Sequence, residues 1–158
     1  LLSEFAFRNA PYPSSADFLR LLREEAGPQH AALITDLFER ITLYDAKTTT
    51  ATATKRADGR WDVTLTIDAR KLYADGKGVE TPAALDEPFE FGVFTENPSR
   101  PAFKKENVIL FERRPVRDGV QTVTFTVDRE PRFAGIDPYS KRVDRNGDDN
   151  VIAVTMKK

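Results

Sequence analysis

The sequence contains no cysteine. Disulfide staples, thiolate nucleophiles and Cys-ligated zinc are thereby excluded, while the redox compartment stays open. Histidine occurs once, as His30. A His-Glu-x-x-His zinc site needs two imidazoles on one helix face plus a carboxylate, and a single histidine cannot build it. A Ser/His/Asp triad would have to pass through the same residue, and there is no Gly-x-Ser-x-Gly elbow. His30 therefore reads as an ordinary residue of a helix surface or interface. Apolar runs of roughly 18 residues are also missing, and the opening Leu1-Leu2-Ser3-Glu4-Phe5 has no basic region ahead of an apolar stretch. A soluble domain with no targeting signal and no direct membrane insertion is expected. Nor is there an excess of either charge: 24 basic residues face 25 acidic ones. Without a positive field, nucleic acids and anionic membrane surfaces are poor partners.

The residues that are present suit a folded core. The chain is 158 residues long, 40% hydrophobic, with eleven Phe. That is enough for one domain, or one domain with an appendage, to fold without metal or disulfide. The stretch Phe5-Ala-Phe-Arg-Asn-Ala-Pro-Tyr-Pro13 reads as the continuation of something already under way, and the chain is expected to be part of a larger protein.

Ser14-Ser15-Ala16-Asp17 has the form of an N-cap with an acidic residue at the third helical position. Phe18, Leu19, Leu22 and Ala26 follow at three-and-four spacing, up to Gly27. Pro28 then suits a new first turn, and Ala31, Ile34, Leu37, Phe38 and Ile41 form a stripe of helical period. The pattern predicts a helical hairpin from Ser15 to Thr42, within a helical segment spanning 1–45. Apolar positions among Leu19, Leu22, Leu33 and Leu37 are expected to be exposed where a neighbouring region would cover them, and such a patch could drive dimerisation.

After Leu43-Tyr44-Asp45 the period falls to two. A strand is expected over Lys47–Arg56, a turn at Asp58-Gly59, and a second strand over Trp61–Ala69. In the second strand Trp61, Val63, Leu65, Ile67 and Ala69 share the inward face. Further strands are expected at Phe89–Thr95, Val108–Arg113, Gln121–Val127, Phe133–Ile136 and Val151–Val154. Val123, Phe125 and Val127 should share the core with Trp61, Val63, Leu65 and Ile67. Short strands separated by Pro, Gly and charged clusters, with no helix between them, favour a mainly β fold over 46–158: an antiparallel β-sandwich of Ig-like type.

Few residues suggest chemistry. Glu24/Glu25, Asp86/Glu87 with Glu90, and Asp148/Asp149 are neighbouring carboxylates, but adjacency does not hold two acids across a cleft, and they read as solvated surface. Asp75-Gly76-Lys77-Gly78 lacks the strand–loop–helix order of a phosphate loop and reads as a turn. Trp61, Phe89, Phe91, Phe94, Phe111, Phe125 and Phe133 could form a carbohydrate platform, yet most fall on the inward faces of expected strands. Asp144, Asn146 and Asp148 have the opening spacing of a calcium loop. Asp149 stands where the turn Gly belongs, and Thr155 where the bidentate Glu belongs, so a solvent-exposed turn is the better reading. No catalytic, cofactor or metal residue is assigned.

Phe18–Tyr44, the hairpin Lys55–Ile67 and the closing Gly135-Ile-Asp-Pro-Tyr139, Asp144-Arg145 and Asp148-Asp149-Asn150 together carry a resemblance. They resemble the C-terminal end of bacterial proteins that fuse an ABC-type permease region to an aminopeptidase N-like zinc metallopeptidase region. The resemblance implies that the zinc and its ligands lie upstream, outside this chain, so that no catalytic residue carries over. It also implies a non-catalytic accessory domain whose partners are the upstream domains of its own parent, at an inner membrane and on the extracytoplasmic side. The alternative is a free-standing Ig- or fibronectin-type module that binds protein, glycan or calcium.

Overall fold

A computed structural model describes residues 12–157. The reading of the opening segment, Leu1 to Pro11, lies outside the described residues. Among the described residues the fold is mainly β, with two sheets and two short helices near the start.

Helix α1 spans Ser15–Ala26. Its N-cap is Ser14: the hydroxyl accepts from the Asp17 amide at 3.3 Å, and the Asp17 carboxylate accepts from the Ser14 amide at 2.9 Å. Two backbone amides that the helix leaves open are satisfied in this way. Gly27 ends the helix at φ 77°, a conformation that a side chain would strain. Pro28–His30 form one 3-10 turn and α2 spans Ala31–Phe38.

The helical segment ends earlier than its periodicity predicts. Ile41 fits the apolar stripe but already begins strand β1, Ile41–Lys55. Thr42, Leu43 and Tyr44 pair with Tyr73, Leu72 and Lys71 of β2, Trp61–Ala74. β-Branched and aromatic residues take the ladder wherever a partner strand is available, whatever their local helical spacing. The hairpin is longer at its open end than its alternating core indicates, through Ile41–Ala46 of β1 and Arg70–Ala74 of β2.

Glu80–Ala83 form β3, Asp86–Phe94 β4, Val108–Arg117 β5 and Gly119–Val127 β6. Phe133–Ile136 form β7, Val151–Ala153 β8 and Thr155–Lys157 β9. One sheet runs β3-β2-β1-β9, with β6 also paired to β2, and the other runs β5-β4-β7-β8. The β1–β9 pair is parallel and the remaining strand pairs are antiparallel.

Both sheets contribute to a single core. Val63, Leu65, Ile67, Phe125 and Val127 are buried as predicted, and Trp61 and Val123 pack at its margin. The other sheet supplies Phe89, Phe91, Val93, Val116, Ala134 and Ile136. A register shift between Thr48 and Thr50 changes which residues of β1 face this core. Tyr44, Ala46 and Thr48 are buried before it, Ala51 and Ala53 after it. One extra residue resets a period of two, as bulges do. β4 is covered on both faces: Phe94 meets Phe103 and Tyr139 on the side away from the core. Phe111 lies on that outer side, 5.3 Å from Tyr139 and 41% exposed, and does not face inward.

Phe125→Ala removes a side chain that is buried against Phe91. The expected loss is about 3–5 kcal/mol of unfolding free energy, read as a lowered urea midpoint at unchanged slope; a midpoint that does not move would refute the shared core.

Candidate functional site

The inward period of β2 does not stop at Ala69. The next in-phase residue is Lys71, 5% exposed, and the in-phase neighbour of Phe89 and Phe91 on β4 is Glu87. Asp36, in the last turn of α2, is buried alongside Ile34. The three side chains meet. Lys71 Nζ donates to Asp36 Oδ2 and, at 2.6 Å, to Glu87 Oε1. Tyr73 Oη donates to Asp36 Oδ1 at 2.7 Å, and Tyr44 Oη to Glu87 Oε2 at 3.1 Å.

Arg142 closes the set from the other side. Its Nη1 donates to Glu87 Oε2 at 2.8 Å and its Nη2 to the Pro88 carbonyl at 2.8 Å. The guanidinium lies 3.9 Å from the centre of the Phe89 ring and 4.8 Å from that of Tyr44. Two carboxylates and two cations cancel, so the cluster needs no counter-ion from outside. Next to it Glu90, on the outer face of β4, accepts from Lys141 Nζ at 2.7 Å and Arg113 Nη2 at 3.1 Å, both on Oε1. Glu90 Oε2 is buried without a hydrogen-bond partner among the described residues.

Asp137 explains how Lys141 and Arg142 come to be there. Its backbone is left-handed, φ 41°, and its carboxylate accepts from the amides of Lys141 and Arg142, each at 3.1 Å. An aspartate tolerates this conformation when its side chain can bind the backbone ahead of it. The loop is thereby wound so that two consecutive cations reach two acids of β4.

The electrostatics favour holding over reacting. Burial alone would lower the Lys71 pKa, but the hydrogen bonds to Asp36 and Glu87 outweigh it and hold the ammonium above the ordinary lysine value. Burial, reinforced by the charge of Glu87, pushes the Tyr44 phenol up to about 12. The hydrogen bond to Asp36 leads the rise of Tyr73. For Glu90, burial raises the pKa but the bonds from Lys141 and Arg113 win, leaving it below the usual glutamate range.

Above the cluster lies a cleft of about 600 Å³. One wall is His30, Ala32, Leu33 and Leu37; the other includes Glu87, Glu90, Lys141 and Arg142. His30 is exposed on this rim, at the junction of the 3-10 turn and α2, not one turn inside a helix. Among the described residues no three His, Asp or Glu side chains gather as a metal group. Glu87 and Glu90 are corrections to the solvated-surface reading: they are withdrawn from water and paired.

In the calcium-like loop the Asp144 carboxylate and the Asn146 side chain are engaged by backbone amides. Asp144 accepts from the Ala46 amide at 3.2 Å and the Asn146 amide at 3.1 Å, and burial raises its pKa. Asn146 caps the 3-10 turn Gly147–Asp149 by accepting from the Asp148 amide. The side chain of Asp148 lines a separate polar pocket.

No family model matches the chain, and neither a curated protein nor a solved structure matches it. Among the described residues no helix is long and apolar enough to cross a membrane.

Two measurements test the cluster. Lys71→Met leaves Asp36 and Glu87 buried with one cation fewer and is expected to cost about 3–5 kcal/mol, with much of the loss recovered when Asp36→Asn is added; equal losses in the single and double variants would show that the ammonium is not what the acids need. The folded chain also holds the Tyr44 and Lys71 protons more tightly than the unfolded chain does. Their contribution is therefore complete below about pH 10 and falls as pH rises above it, so Tyr44→Phe should make the alkaline decline of the urea midpoint shallower.

Proposed function

We propose that the chain is a non-catalytic accessory domain, an Ig-like β-sandwich with a helical attachment, of a larger metallopeptidase-like protein of the kind its sequence resembles. In this reading it docks through its helices on a neighbouring region of the same polypeptide. The parent would be membrane-anchored, with this domain extracytoplasmic and the zinc held elsewhere in the parent.

The observation that carries the reading is the apolar surface of the helices and the start of β1. Leu33, Leu37, Phe38 and Ile41 are each at least half exposed, and Phe18 lies 5.7 Å from Phe38 in an edge-to-face contact. Ile34 and Asp36 of α2 are buried and Asp36 is bound by Lys71 of β2, so the exposed side chains are presented on an anchored helix. Several large apolar residues grouped on one rigid element suit a covered surface better than an open one. The ion cluster supports a structural role as well: its acids and bases are paired with one another, and none stands ready as a general base.

The test uses the 158-residue chain purified alone. Sedimentation should show concentration-dependent association that Leu33→Ser with Leu37→Ser abolishes without lowering Tm; a wild-type chain that stays monomeric at every concentration would remove the docking argument. No aminoacyl chromogenic substrate should be cleaved with added zinc, and zinc-dependent cleavage lost in His30→Ala would overturn the non-catalytic reading.

A further inference from the structure

The buried ion cluster holds together the groups that an amide condensation needs: an amine, the carboxyl group it would attack, and a second carboxylate able to carry protons between them. Lys71 Nζ donates to Asp36 Oδ2 and, at 2.6 Å, to Glu87 Oε1, so two acids share one nitrogen. The side chains of Lys71 and Asp36 are only 5% and 7% exposed, which keeps competing water away. The other oxygen of Asp36, Oδ1, accepts from Tyr73 Oη at 2.7 Å. A phenol placed there donates to the oxygen on which negative charge collects when a nitrogen adds to the carboxyl carbon.

The charges permit the bond. Asp36 and Glu87 cancel Lys71 and Arg142. An amide between Lys71 and Asp36 removes one charge of each sign, and Glu87 keeps Arg142 Nη1 at 2.8 Å. The cluster is therefore neutral before and after, and a buried ion pair gives way to a neutral group. Groups held in contact on rigid elements also react with effective molarities of about 10⁵–10⁸ M. The neighbouring Lys141–Glu90 pair lacks these conditions, because Lys141 is 56% exposed and, among the described residues, meets a single acid.

The ion pair is the resting form, and the reaction starts from its minor neutral tautomer, in which one Nζ proton has passed through Glu87 to Asp36 Oδ2. Burial narrows the gap between the two forms. The freed lone pair of Nζ adds to Asp36 Cγ, and Oδ1, bound by Tyr73, carries the negative charge. Glu87 then takes a second proton from the nitrogen and delivers it to Oδ2. The Cγ–Oδ2 bond breaks with its electron pair on the departing oxygen, which leaves as water, and one hydrogen stays on the amide nitrogen. No oxidant or further reactant is consumed. We infer that Lys71 and Asp36 condense slowly and without an enzyme into an intramolecular amide bond, with Glu87 as proton carrier, which ties α2 covalently to β2.

The experiment follows the intact mass of the purified 158-residue chain at neutral pH over days. A species lighter than the sequence by one water should be present at the start or accumulate with time. Tryptic digestion should then give residues 24–40, which contain Asp36, linked to residues 71–77 with the Lys71–Leu72 bond uncut. Glu87→Gln leaves both reacting groups in place and should form the species about 100-fold more slowly; Lys71→Arg should never form it. A folded wild-type chain that keeps the full mass of its sequence would overturn the inference. So would water lost instead at an Asp-Gly turn such as Asp58-Gly59, or condensation as fast in Glu87→Gln as in the wild type.

Discussion

Lys71 carries a positive charge into a place nearly closed to water, and three parts of the chain meet on that charge. Asp36 brings α2, Glu87 brings the second sheet, and Lys71 itself extends the long strand of the first. An ammonium placed so deep is tolerable only because two carboxylates reach it, and those carboxylates are tolerable only because of Lys71, Arg142 and two phenols. Such a cluster contributes little net stability compared with apolar residues of the same volume. It does fix geometry. Apolar contacts could let α2 slide along the sheets, whereas ion pairs with defined donors hold it to one position, and the outward orientation of Leu33 and Leu37 follows.

What could be read in advance tracks how the residues repeat. The hairpin face Trp61 to Ala69 and the face Val123 to Val127 were legible because burial on one side imposes a strict period of two. Phe133–Ile136 was legible from its boundaries, set by Pro131 and Asp137. The end of the helical segment was not: Ile41 satisfies the helical stripe and the strand equally, and only the partner strand Trp61–Ala74 decides. Glu80–Ala83 and Thr155–Lys157 are short, largely exposed edge strands without alternation; the first pairs across a tight turn with the end of β2, and the second with β1, far away in sequence. The bulge beside Thr49 erases the alternation of β1 just where small Thr and Ala residues make the pattern faint.

The ion cluster left a signal of a different kind. Lys71 and Glu87 are charges in phase with apolar residues, and a charge on the inward face of a strand must find a partner there. Taken alone, each looks like the polar end of a strand. Read together, two opposite charges on inward faces of two strands point to a pair. Asp36 completes it within a helical stretch that otherwise reads as apolar. Arg142 and Lys141 were beyond such reasoning, since their reach depends on the left-handed turn at Asp137.

That turn joins the cleft beside α2 to the polar pocket. Asp137, Lys141 and Arg142 line the cleft beside α2, while Pro138 and Ser140 line the polar pocket of Asn150. Ser140 is itself left-handed, at φ 48°, so the loop holds two non-glycine residues in a conformation that side chains disfavour. Strain of this sort persists only where surrounding contacts outweigh it. Here those contacts come from both sides: the amides of Lys141 and Arg142 on the Asp137 carboxylate, and their cations on Glu90 and Glu87 toward the cleft. Between Pro138 and Ser140, the Tyr139 ring is held between Phe94 and Phe111. A change in the backbone of this loop is therefore felt on both surfaces, because Pro138 and Ser140 of the pocket wall alternate in sequence with Asp137, Tyr139 and Lys141, which are held by hydrogen bonds, ring contacts or ion pairs. The six residues Asp137 to Arg142 act as a shared wall, rigid because both of its faces are anchored.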